Sequence, residues 1–149
     1  MKIAIIAANG KSGQAIAKEA VERGHQVTAI VGSENKSVAQ EVLQKDAFDL
    51  TKEDLVGFDV VVNAFGAWTP ETLPGHSQLA NHLVSLLNDT PTRLLIVGGA
   101  GSLYLDESQT AMLKDTRDFP AEYLPIAEAM GAGLDHYRET TAVNWTYIS

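Results

Sequence analysis

Four short apolar runs constrain this chain more than any other feature: Lys2–Ala8, Val27–Val31, Val60–Ala64 and Leu94–Val97. None alternates apolar with polar residues, so none reads as a strand with one face in water. Strands that are apolar throughout are buried on both faces, as in a parallel sheet covered by helices. Trp145–Ile148 is a candidate last strand and Asp46–Phe48 a weaker one. Between these runs lie stretches with helical spacing. Ser12–Arg23 puts Ile16, Ala17, Ala20 and Val21 on one face, and Gly24 follows as a residue able to end the helix. Ser33–Gln44 carries Val38, Val42 and Leu43. Gln78–Leu87 carries Leu79, Leu83, Leu86 and Leu87, and Pro125–Thr140 carries Ile126, Ala129, Met130, Leu134 and Tyr137. Strands alternating with helices through right-handed crossovers predict an α/β fold: a doubly wound parallel sheet in three α/β/α layers.

The 149 residues suit one domain, 1–149, with a substantial core. No run approaches the roughly 20 apolar residues that span a bilayer. Ile3–Ala8 is too short and too soon interrupted by Asn9-Gly10-Lys11 to read as a signal peptide. A net charge of −8 argues against nucleic-acid and anionic-membrane partners, which reward Lys/Arg patches. The absence of cysteine excludes disulfides, thiolate metal sites and a Cys nucleophile, and it fits a cytoplasmic protein. Two long connections, Phe65–His76 and Gly98–Phe119, leave the C-terminal ends of strands. Open α/β sheets bind their ligands there, and long loops in compact domains are usually functional.

The loop Ala7-Ala8-Asn9-Gly10-Lys11-Ser12-Gly13 follows a strand and opens a helix, the setting of a Rossmann dinucleotide fingerprint. Glycine lets the backbone approach a pyrophosphate, and the helix start offers free N–H groups and partial positive charge. The first glycine position of the fingerprint holds Ala7. Gly10-Lys11-Ser12 also resembles the end of a Walker A loop, but the required glycine five positions earlier is Ile5, inside the strand. The acid that holds the ribose 2′-hydroxyl of NAD at the end of strand two is replaced by Gly32, with Ser33 and Glu34 after it. Lys36 nearby favours NADP slightly over NAD.

These residues carry a family resemblance. Lys2–Gly13, Glu19–Val31, Asp59–Gly66 and Leu94–Tyr104 resemble atypical short-chain dehydrogenase/reductases, in the group of NAD(P)-binding proteins and NADH-flavin reductases near the NmrA-like and biliverdin reductase B-like proteins. Val97-Gly98-Gly99-Ala100-Gly101-Ser102-Leu103-Tyr104 is the most specific segment, and Asp118-Phe119-Pro120 and Trp145-Thr146-Tyr147 also fit. The resemblance implies strand order 3-2-1-4-5-6. It implies that Asn9, Gly10, Lys11, Ser12 and Gly13 face the pyrophosphate, that Gly32 and Ser33 flank the adenosine ribose, and that Asp49 and Leu50 lie beside the adenine. Ala64, Phe65 and Gly66 would flank the adenosine and pyrophosphate, and Val97 and Gly98 would approach the nicotinamide. The chain departs from the family at Ala7 and at Gly32, where an arginine is common. It also stops at Ser149, where relatives continue into a segment that helps build the substrate pocket; either the chain is truncated there or the substrate side is reduced.

The superfamily's Tyr with Lys four residues later is missing. Tyr104 is followed at that spacing by Ser108, Tyr123 by Ala127 and Tyr137 by Thr141. A flavin or quinone-like acceptor tolerates this loss, because solvent can protonate its reduced atoms. Ser102 and Tyr104 are the best candidates for contact with such an acceptor, and His76 could donate a proton near neutral pH. Trp68 could cover a planar ligand. Asp106 and Glu107 lack further converging donors, so no metal site is expected. Two functions stay open: a reductase passing hydride from NADP or NAD to a flavin-like, quinone or small unsaturated acceptor, and a non-catalytic NAD(P)-sensing regulator. An epimerase or lyase retaining its cofactor is a third. A homodimer is among the assemblies open to it.

Overall fold

Ile3, Ala4, Ile5 and Ile6 are all buried on the first strand, and that double-sided burial sets the architecture. In the computed structural model, which describes every residue from Met1 to Ser149, six strands form one sheet. They are β1 (Lys2–Ile6), β2 (Gln26–Val31), β3 (Glu41–Gln44), β4 (Val60–Asn63), β5 (Arg93–Val97) and β6 (Asn144–Ile148). Their order is β3-β2-β1-β4-β5-β6, and every neighbouring pair is parallel. This is the Rossmann-type α/β order 3-2-1-4-5-6. Helix α1 (Lys11–Glu22) lies on one face of the sheet. Helix α3 (Gly75–Leu87) and helix α4 (Leu124–Arg138) pack together on the other, and α2 (Lys52–Leu55) is a single short turn preceding β4.

Alternate strand residues feed two cores. Ile3, Ile5, Val27, Ala29 and Val62 meet Ala17 and Ala20 of α1. Ala4, Ile6, Val61, Leu94 and Ile96 meet Leu79, Leu83 and Leu87 of α3 and Tyr137 of α4. Truncating one of these fully buried leucines to alanine costs about 2–5 kcal/mol, from lost transfer free energy and the cavity left behind.

Two expected elements differ. Ser33–Gln44 is not a helix: its first part is irregular and Glu41–Gln44 is β3. Asn35 Oδ1 accepts from the backbone N–H and the hydroxyl of Ser37 at 3.0 and 2.7 Å, a local turn that competes with helix formation. Val38 and Val42 are largely exposed, so the apolar trio never faced one core. Asp46–Phe48 is not a strand. Asp46 Oδ1 accepts from Phe48 N–H at 2.9 Å and caps a 3₁₀ turn at Ala47–Asp49. Helix α3 also starts earlier than the leucine pattern suggests, so His76 sits in its first turn instead of in the preceding loop.

Candidate functional site

The β1–α1 turn begins at Ala7, whose φ of 60° lies in the left-handed region. Glycine adopts that conformation freely, while alanine gives up about 1–2 kcal/mol there. The turn therefore keeps the shape of the fingerprint without its first glycine. Gly13 shows why the last glycine is needed: a Cβ there would stand 2.3 Å from Ala7 O and 2.7 Å from Ala8 Cα. Without one, α1 starts directly against the end of β1. Gln14 N–H is the first to close onto the turn, bonding to Gly10 O at 2.9 Å, and the amides of Lys11, Ser12 and Gly13 find no acceptor within the protein. Three free N–H groups at the mouth of a helix, beside glycines with no side chain, suit a dinucleotide pyrophosphate.

Asn9 is expected at the pyrophosphate, yet its side chain is committed elsewhere. Its Oδ1 accepts the backbone N–H of Lys36 at 2.7 Å, and its Nδ2 donates to Glu34 O at 2.9 Å and to Ser33 Oγ at 3.3 Å. Asn9 thus ties the first turn to the loop after β2, and exposed Gly32 and Ser33 lie between them. Lys11 and Lys36 are both exposed and neither enters an ion pair.

Beyond this loop, Phe48 and Phe65 meet edge to face, with centroids 5.7 Å apart. With Gly66, Trp68 and Gly75 they line a groove of about 470 Å³, next to exposed Asp49. Leu50 itself is 2% exposed and packs into the core, and its carbonyl meets His82 Nε2 of α3 at 2.8 Å. Trp68 is 70% exposed and lies over Gly66, where a Cβ would come within 3.3 Å of the indole.

The three candidate catalytic residues do not converge on one place. His76 lines a small cavity of about 20 Å³, room for about one water, with Asn63, Phe65, Val97, Tyr137 and Tyr147. Its Nε2 lies 3.3 Å from Ala67 O, so the ring donates there. Burial holds its pKa below the usual imidazole value, with the Ala67 bond opposing. Burial thus disfavours the charged, proton-donating form of His76. Ser102, in a 3₁₀ turn at Ala100–Ser102, and Tyr104 line a separate groove of about 410 Å³ with Arg138, Thr146 and Ser149. The Arg138 guanidinium lies 5.9 Å from the centre of the Tyr104 ring.

Tyr147 and Leu134 line both spaces. A Cβ on Gly98 would fall 2.1 Å from the Tyr147 ring, and Tyr147 Oη accepts from Gly99 N–H at 3.2 Å. Gly98 is therefore bare because Tyr147 covers it. Ala64, Phe65 and Gly66 close the other side of the strand ends, where Asn63 Oδ1 accepts from Phe65 N–H at 3.1 Å. Asn63, Tyr137 and Tyr147 are the site residues that sequence reasoning missed. Asn63 had a signal, being the one polar residue in an otherwise apolar strand. Tyr137 read as a helix-face residue without a lysine four positions on, and Tyr147 as part of the last strand and of a segment that fits the family.

A Rossmann sheet, a bare helix start at the end of β1 and an aromatic groove across the strand ends define a dinucleotide-binding protein. The chain matches the NAD(P)H-binding family over residues 7–149, and it belongs to that family. Its cofactor is a nicotinamide dinucleotide. YwnB of Bacillus subtilis is 51% identical over 152 aligned residues, covering 100% of this chain and 71% of YwnB. The crystal structure of SP1627 from Streptococcus pneumoniae, provisionally named an NADH-flavin reductase, superimposes with a TM-score of 0.97 at 57% identity, over 99% of this chain and 70% of that one. A short-chain dehydrogenase/reductase superfamily protein from Agrobacterium tumefaciens with bound NAD shares the fold alone, with a TM-score of 0.70 at 17% identity over 99% of this chain and 48% of that one. No helix is long and apolar enough to cross a membrane.

Proposed function

We propose that this protein is an NAD(P)H-dependent oxidoreductase that passes hydride to a flavin-like, quinone or small unsaturated acceptor without a Tyr–Lys pair. The observation that carries this reading is that the dinucleotide turn after β1 and the aromatic residues Phe65 and Tyr147 at the ends of β4 and β6 lie along one edge of the sheet, the C-terminal ends of its strands. The provisional naming of SP1627 as an NADH-flavin reductase points the same way.

In this reading the N–H groups of Lys11, Ser12 and Gly13 bind the pyrophosphate, and Gly10 lets it approach. Asn9 holds Gly32 and Ser33 against the ribose, and Lys36 beside them favours the 2′-phosphate of NADP. Phe48, Phe65 and Gly66 receive the adenosine side, with Asp49 and the Leu50 backbone next to it. Val97, Gly98 and Tyr147 form the nicotinamide end. When bound, the cofactor supplies the hydride, so the protein's task is to orient it and keep water away. Ser102 and Tyr104 line the outer approach for the acceptor. The lack of cysteine and the charge of −8 suit a cytoplasmic enzyme acting on small molecules.

The test is NADPH and NADH oxidation with FMN and with menadione, alongside calorimetric titration of both dinucleotides. Turnover above background with either acceptor supports the reading. Tight dinucleotide binding with no turnover across acceptors replaces it with the NAD(P)-sensing function, which the missing Tyr–Lys pair also allows. Absence of binding below about 1 mM, a binding free energy of only about 4 kcal/mol, defeats both.

A further inference from the structure

Arg138 is the last residue of α4, and its guanidinium carbon lies 5.9 Å from the centre of the Tyr104 ring. A guanidinium held over an aromatic face keeps N–H donors of its planar fork free for an anion. The carboxylate nearest to it, Asp135 Oδ1, stands 3.8 Å away, too far for a hydrogen bond, and the Asp135 side chain is 69% exposed. Such a pair is weak and competes little with a ligand. Arg138 is also the one charged side chain lining the groove of about 410 Å³ beside β6, the edge strand. The rest of that lining is aromatic, aliphatic or hydroxyl-bearing, with Tyr104, Trp145 and Tyr147 as its rings.

We propose that this groove takes the acceptor, and that the acceptor is a planar ring carrying an anionic group, a phosphate or a carboxylate, which Arg138 binds. The inference rests on the oxidoreductase reading above and adds the acceptor's charge and the residue that selects for it. Three observations support it. The groove lies within the roughly 300–1,000 Å³ of small-molecule sites, and its lining of rings with a few polar groups is the composition of such sites. Tyr147 is shared between the groove and the end of β5, where it covers Gly98, so a ring in the groove lies next to the proposed nicotinamide end. The chain has a net charge of −8 and repels anions in general, so a guanidinium in a lining without a carboxylate side chain marks this groove out. The fork of an arginine matches the oxygens of a phosphate or carboxylate. Reduction of the ring takes two electrons and one hydrogen from the nicotinamide and one proton from water. The anionic group is unchanged by it, so Arg138 acts in binding alone.

FMN and riboflavin share one ring and differ by a phosphate. Quenching of their own fluorescence, with NADP⁺ present and ionic strength held constant, gives dissociation constants without turnover. FMN is expected to bind about five-fold more tightly than riboflavin, the upper end for an exposed charge pair. Arg138→Gln should abolish that gap and leave riboflavin within about two-fold. Anthraquinone-2-carboxylate and 2-hydroxymethylanthraquinone make the same comparison for a carboxylate. They are read by quenching of Trp145, which lines the groove and is the sole tryptophan left in Trp68→Phe. A gap in either pair that Arg138→Gln removes supports the inference and identifies the group. No gap in both pairs, or a gap that persists in Arg138→Gln, overturns it. So does an Arg138→Gln effect confined to NADPH affinity. An Arg138-dependent gap without any NAD(P)H oxidation defeats the oxidoreductase reading and leaves the anion site standing, and oxidation of these acceptors without a gap does the reverse. If Arg138→Gln does not fold, competition in the wild-type protein decides. Inorganic phosphate should then weaken FMN and leave riboflavin unchanged, and an equal effect on both overturns the inference.

Discussion

Asn9 Oδ1 accepts the backbone N–H of Lys36 at 2.7 Å, joining two loops 27 residues apart at the strand ends where the dinucleotide is expected. The same amide donates to Glu34 O, so one side chain fixes both the entry turn of α1 and the loop after β2. Asn9→Ala is expected to lower stability by about 1–2 kcal/mol, because the Lys36 and Glu34 backbone groups return to water while the loop loosens. Dinucleotide affinity should fall about ten-fold, since the site must then be ordered on binding. Urea denaturation and calorimetric titration check the two effects. Unchanged affinity would show that the loop after β2 takes no part in the site.

Lys36 is exposed and free of ion pairs, and its position is set through Asn9. If it meets a 2′-phosphate, Lys36→Ala should weaken NADPH about five-fold and leave NADH unchanged. The effect should shrink at high salt, as expected for a solvent-exposed charge pair. Dissociation constants for both dinucleotides at two salt concentrations give the answer. Equal loss for both would remove Lys36 as the discriminating residue.

Gly98 has no room for a methyl group while Tyr147 keeps its place. Gly98→Ala is expected to cost about 1–3 kcal/mol through overpacking and to displace the Tyr147 ring. Tyr147→Ala in the same chain should recover part of that loss, and a double-mutant cycle by thermal unfolding measures the coupling. Additive effects would mean that the ring and Gly98 do not meet in solution.

Burial lowers the pKa of His76, so the folded protein binds fewer protons there than the unfolded chain. The sign follows from linkage. Stability from this group is present above the unfolded value near about 6.5 and is lost as pH falls below it, because protonation favours the unfolded chain. Denaturation at pH 7.5, 6 and 5 should show a loss that is smaller in His76→Gln. An equal loss in both proteins would assign the acid sensitivity to groups other than His76; Asp54, whose carboxyl is lowered by its hydrogen bond to Lys45, loses its contribution only at more acidic pH, in the carboxylate range.

Much of the fold was legible because burial leaves a mark on composition. β1, β2, β4 and β5 are mostly apolar with no polar alternation, and a parallel sheet between helix layers buries such strands on both faces. The dinucleotide turn was legible for a related reason: Gly10 and Gly13 are local requirements, met within a few residues of one another. The segment after β2 was misread, because Val38, Val42 and Leu43 have helical spacing while the Asn35–Ser37 turn and pairing with β2 stabilise an extended path. Tertiary pairing overrode a weak local preference there.

The sequence by itself determined the layered sheet, its strand order by resemblance, and the shape of the turn proposed to hold a dinucleotide. Tertiary structure alone decided which polar groups meet. It separated His76 from Ser102 and Tyr104, set Tyr147 over Gly98, and brought Asn63 to Tyr137 across 74 residues. Periodicity records whether a side chain is buried, and it holds no record of its partner. That is why the turn at Ala7–Gly13 was readable in the chain and the contact of Asn63 with Tyr137 was not.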